Sequence, residues 1–75
     1  MKEARIIIRN QRGRHAGGGA EEATMVLKAG RQGTGQDLAV SHYWPWSWAS
    51  VSAAEDHMYA AAERAGYQII PSHVE

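Results

Sequence analysis

The residues best able to do chemistry here are the three tryptophans, which fall together as Trp44-Pro45-Trp46-Ser47-Trp48 directly after His42 and Tyr43. In an extended chain side chains alternate, so Trp44, Trp46 and Trp48 would project to one side and Tyr43, Pro45 and Ser47 to the other. Such a ladder of indoles is either a slab of core or an exposed platform on which a base, a sugar or a partner's side chain stacks. The second cluster is cationic. Arg9, Arg12 and Arg14, with His15, form a glycine-spaced basic arm that resembles segments following a phosphate backbone, and that could equally order against an acidic protein.

Reaction chemistry is harder to assemble. His15, His42, His57 and His73 lack ligand spacing such as His-x-x-x-His, and there is no cysteine for a thiolate site, so no metal and no cofactor is expected. The serines have no glycine-flanked setting of a nucleophile elbow. Gly13-Arg14-His15-Ala16-Gly17 and Gly33-Thr34-Gly35 lack the Lys-Ser/Thr of a phosphate loop. A chain of this length also offers little rigid support for a catalytic pocket, so binding without catalysis is the expectation.

The elements that would position these residues can be read along the chain. Ala4-Arg5-Ile6-Ile7-Ile8-Arg9 is rich in β-branched residues and stops at Asn10-Gln11-Arg12-Gly13, so it predicts a first strand. Its consecutive isoleucines need cover on both faces, as in a central strand. Residues 11–20, with Arg12 to Gly19 at their heart, read as a flexible Gly/Arg-rich loop. Thr24 to Ala29 is ambiguous. Its composition suits a strand, whereas Glu21-Glu22-Ala23 before it and Gly30 after it suit a short helix. The strand is preferred because Gly30 to Gln36 then becomes a flexible hairpin loop leading into a strand over Asp37 to Tyr43. Pro45 cannot donate to a ladder, so pairing should weaken there and leave the Trp segment at a sheet edge or in a loop.

A helix follows. Ser52-Ala53-Ala54-Glu55 has the spacing of a capping box, which puts the helix start at Ser52. Ala54, Met58, Ala61 and Ala65, with Ala62 beside them, form an apolar stripe narrow enough for close approach to a sheet. Gly66 is the expected stop, and Tyr67 to Ile70 forms a last strand ended by Pro71. The predicted fold is a small single α+β domain over residues 1–75, in the order β-β-β-α-β. Its three- to four-stranded, mainly antiparallel sheet carries one helix on a face.

Size and charge bound the partners. A chain of 75 residues without disulfides has a thin core, completed by packing or assembly. Formal charge is zero, but the first half holds Arg5, Arg9, Arg12, Arg14 and Lys28 while the second gathers Glu55, Asp56, Glu63 and Glu75 around Arg64. That polarity argues against wholesale mimicry of nucleic acid and permits a basic patch at one end. No run approaches the length of a membrane span, and the N-terminus lacks a signal peptide's apolar stretch. A cytoplasmic protein without membrane contact is expected.

A short, cysteine-free chain with a first strand at Ala4 to Arg9, glycine-rich loops, an alanine-rich helix at Ser52 to Ala65 and a closing strand at Tyr67 to Ile70 resembles the small phage-encoded anti-CRISPR inhibitors. That likeness implies a stoichiometric inhibitor occupying a surface of a nucleic-acid-handling complex. The helix after a three-stranded sheet is also similar to the partial ribonuclease-like domain of HicB-type antitoxins, which implies a toxin as partner. The expected function is a protein-binding inhibitor or regulator of a host complex, with Tyr43, Trp44, Trp46, Trp48, Arg9, Arg12 and Arg14 as the contact residues. Direct nucleic-acid binding, with indoles stacking on unpaired bases, is the alternative. A homodimer would form most easily along the sheet edge near Pro45.

Overall fold

The computed structural model describes residues 2–14 and 20–70, with the side chains of 2–9 and 22–70. Strands β1 (Lys2–Arg14), β2 (Ala20–Ala29) and β3 (Asp37–Tyr43) precede helix α1 (Trp48–Ala65) and strand β4 (Tyr67–Ile70). They form one sheet in the order β3-β2-β1-β4 with the helix packed on a face. The β1–β2 and β2–β3 pairs are antiparallel, whereas β4 runs parallel to β1. This is the expected α+β domain, and the helix explains the one parallel pair, because a crossover of this kind returns the chain in its original direction.

β2 is a strand because its neighbours bury both its faces. Ala23 through Leu27 are all buried, a continuous run that a helix lying on a surface would not show. Ala23, Met25 and Leu27 lie under the helix in one core with Ala4, Tyr43, Ala54, Met58, Ala61 and Ala62. Val26, on the opposite face, is opposed by Ile7 on β1 and Val40 on β3.

The strands overrun their expected ends. β1 continues past Arg9 to Arg14, and β2 begins at Ala20, so positions 11–14 and 20 of the anticipated loop belong to a two-stranded arm. The remainder, 15–19, lies outside the described residues. Mutual pairing is the reason: Arg12 stands opposite Glu22 and Arg14 opposite Ala20, after a bulge between Arg9 and Arg12. Ladder partners supply what weak local propensity does not.

The 30–36 loop is tied down, contrary to its flexible composition. The Gly30 amide donates to Glu3 O at 2.7 Å, the Gly35 amide to Ala29 O at 2.8 Å, and Arg31 pairs with Glu3 at 2.9 Å. The loop thereby folds over the face away from the helix, where Gly33 is buried. Gly33 has φ +72, and a Cβ there would lie 3.1 Å from Ile7 Cδ1 and 3.3 Å from Arg5 Cβ. Both its conformation and the space favour glycine.

Helix α1 starts earlier than the Ser52 capping box implied. The Ser47 amide donates to Trp44 O at 3.0 Å, closing a turn with Pro45 at its second position, where proline's fixed φ is suited. Ser47 then caps the helix, its hydroxyl accepting from the Ser50 amide at 3.3 Å, and the first helical bond runs from the Val51 amide to Ser47 O. The turn that ends β3 therefore decides between two serines with plausible spacing. Ser47→Ala is expected to lower stability by about 0.5–2 kcal/mol in urea unfolding followed by circular dichroism. Ser52→Ala, inside the helix, should cost little; the reverse order of effects would place the cap wrongly.

The helix buries Ala54, Met58, Ala61 and Ala62, while Ala65 is exposed and not part of the stripe. Gly66 ends it as expected, at φ 81 in the left-handed region. Among the described residues no helix is long and apolar enough to cross a membrane.

Candidate functional site

The Trp segment is a turn followed by a helix start, so the anticipated single-faced ladder does not form. Strand β3 ends at Tyr43. Trp44 opens the turn, Trp46 sits within it and Trp48 is the first helical residue. The three indoles are nevertheless 51%, 67% and 78% exposed, so none fills the core. A second bond braces them, because the Trp44 amide donates to Ser50 Oγ at 2.8 Å. The result is a cluster of large apolar side chains on a short, hydrogen-bonded support.

Tyr43 departs from its expected role. It opposes Ala23 on β2 and is buried in the core beneath the helix, so it offers no anchor to a partner. Burial first, and the nearby Glu55 carboxylate second, push its phenol above the ordinary value of 10.0. Strand alternation explains the position, since Ala39, Ser41 and Tyr43 oppose Leu27, Met25 and Ala23, which lie on the helix side.

The basic residues divide. Arg9 is half-buried on the face away from the helix and pairs with Asp37 at 3.6 Å. Arg12 and Arg14 lie on the arm, next to Glu22 and Ala20 in register, with side chains outside those described. Asp37 also accepts from Lys28 Nζ at 2.6 Å. That hydrogen bond, the largest influence, outweighs desolvation and, with the lesser pull of the Lys28 and Arg9 charges, holds the Asp37 carboxyl below its ordinary 3.8. A depressed carboxylate favours folding above the unfolded-chain value, and this contribution disappears as pH falls through the lower folded value. Asp37→Asn should therefore reduce the urea midpoint near neutral pH and converge with the wild type in acid. A gap that persists unchanged in acid would mean that the charge is not what matters.

A groove of about 410 Å³ opens between the helix and the sheet. Ile6 and Ile8 of β1, Ile69 and Ile70 of β4, and Val51 and Tyr59 of α1 contribute to its apolar lining, and Glu55 is the one charged residue in it among the described residues. Val51, Glu55 and Tyr59 recur every four residues, a stripe beside the alanine face that could have been noticed. Among the described residues no group of three or more His, Asp or Glu is placed to hold a metal ion. Comparison with protein-family models, curated proteins and solved structures finds no match for this chain.

Proposed function

We propose that the protein is a non-enzymatic binding protein, an inhibitor or regulator that docks on a larger protein assembly through the indoles of Trp44, Trp46 and Trp48. The observation that carries this reading is their joint exposure on a braced turn. Exposed tryptophans cost solubility, and Trp is among the residue types most enriched where binding energy concentrates. A fixed backbone also reduces the ordering cost of contact. Blocking a nucleic-acid-handling complex is the role that the anti-CRISPR likeness implies, and capture of a toxin is the role that the HicB-type likeness implies. Both are protein docking.

Ion pairing favours a protein over a polyanion as the partner. Arg9 and Lys28 share Asp37, and Arg31 pairs with Glu3, so these three cations come with their own counter-charges. Phosphate binding would need them released. Titration with single- and double-stranded DNA and RNA at low and physiological salt, followed by intrinsic Trp fluorescence, tests the choice. No change in emission is expected. Quenching that weakens steeply with salt would transfer the indoles to nucleic-acid stacking and overturn the protein reading.

A further inference from the structure

The groove between helix and sheet lies apart from the Trp turn, since none of the three indoles lines it. Its volume of about 410 Å³ falls within the range of small-molecule sites, roughly 300–1,000 Å³. Two polar groups stand in its otherwise apolar wall. Tyr43 is only 6% exposed, yet its hydroxyl makes no hydrogen bond among the described residues, where no side-chain polar atom is both buried and unpaired. The small exposed part of Tyr43 therefore includes the phenol oxygen, and it opens into the groove that the residue lines. A hydroxyl on so buried a ring ordinarily finds a partner within the protein. This one keeps its hydrogen-bonding capacity for whatever enters.

Glu55 is the second group. Its carboxylate stands close enough for its charge to act on the Tyr43 phenol, and among the described residues no Lys, Arg or His pairs with it. The groove thus presents an uncompensated anion beside an unpaired hydroxyl, framed by branched apolar side chains from the strands and by Val51 and Tyr59, one helical turn to either side of Glu55.

We propose that the groove binds a small amphiphilic ammonium ion, its apolar body against Ile6, Ile8, Met25 and Val51 and its head held between the Glu55 carboxylate and the Tyr43 hydroxyl. The head follows from the two polar groups. A carboxylate only accepts hydrogen bonds and a phenol oxygen accepts as well, whereas an ammonium has three N–H donors and a charge that complements Glu55. A carboxylate ligand would bring two anions together against an apolar wall, and an alcohol would leave the Glu55 charge uncompensated. The body follows from the walls, because a bound alkyl or aryl group covers Ile8 and Tyr59, which are otherwise exposed.

Titration of the full chain with hexylamine, hexan-1-ol and hexanoate at neutral pH, followed by methyl NMR, tests the site. The three share one body and differ in the head. Saturable shifts are expected with hexylamine at the methyl groups of Ile6, Ile8, Met25 and Val51, while Val26 and Val40, on the face away from the helix, stay still. Hexylamine should bind about 10-fold or more tightly than hexan-1-ol, the scale of a hydrogen bond to a charged group, and hexanoate should bind weakest. Glu55→Gln should erase the preference for the amine. Tyr43→Phe keeps the buried ring and should weaken hexylamine by about 2–10-fold. Unchanged Val26 methyl signals report an intact fold in each variant. No saturable shift, equal affinity for amine and alcohol, or a preference that survives Glu55→Gln overturns the proposal. So do shifts centred on Trp44 to Trp48, which would assign the ammonium to the indoles.

Discussion

Leu27→Ala is expected to lower the unfolding free energy by about 2–5 kcal/mol, the range for deleting a fully buried leucine. Leu27 is completely buried under the helix, opposite Ile6 on β1 and Ala39 on β3. With Val26 and Met58 it is one of the largest fully buried side chains, and most of the remaining core is alanine. Small neighbours carry few atoms that could swing into the gap, so the cavity should persist. At roughly 0.05–0.15 kcal/mol per residue, a chain of this size has about 4–11 kcal/mol in total. The substitution therefore removes a large share and should leave a substantial unfolded population at ambient temperature. Urea unfolding by circular dichroism measures it. A loss below about 1 kcal/mol would mean that the helix settles onto the sheet and closes the cavity.

That thin core also explains which features could be read from the residues alone. The apolar stripe of α1 apart from Ala65, the Gly66 stop and the strands at Ala4–Arg9, Asp37–Tyr43 and Tyr67–Ile70 are set by local pattern, and the structure contains each of them. Features that depend on a distant partner were not legible. The ends of β1 and β2 come from cross-strand pairing of Arg12 with Glu22 and Arg14 with Ala20, whose sequence contains little β-propensity. The choice of Ser47 over Ser52 as helix cap depends on the turn at Pro45. Tyr43 could have been placed in the core by counting alternate residues back along β3. The Trp run masks this, because an extended ladder through Trp48 would put Tyr43 on the face opposite the indoles and free of the core. The groove needs β1, β4 and α1 at once, and no single window of sequence contains it.

Replacing Trp46 and Trp48 together by Ala should leave the fold intact and abolish docking. Their exposure of 67% and 78% means that little buried area is lost, so each change should alter stability by no more than about 0.5 kcal/mol. The Ser47 cap and the Trp44 amide bond to Ser50 Oγ do not involve either indole. In contact with a partner the effect reverses in scale. Anchoring tryptophans commonly contribute 2 kcal/mol or more on truncation, so the pair should reduce affinity by about 1000-fold if the two act independently. Trp44 remains as the single indole, and its emission reports whether the turn persists. Partner recovery on immobilised wild-type and doubly substituted protein from the same host lysate, quantified by mass spectrometry, gives the ratio. Loss of cooperative unfolding in the double variant would make these indoles structural despite their exposure. Equal recovery by a folded variant would move the contact off the Trp turn, and the docking reading would have to be given up.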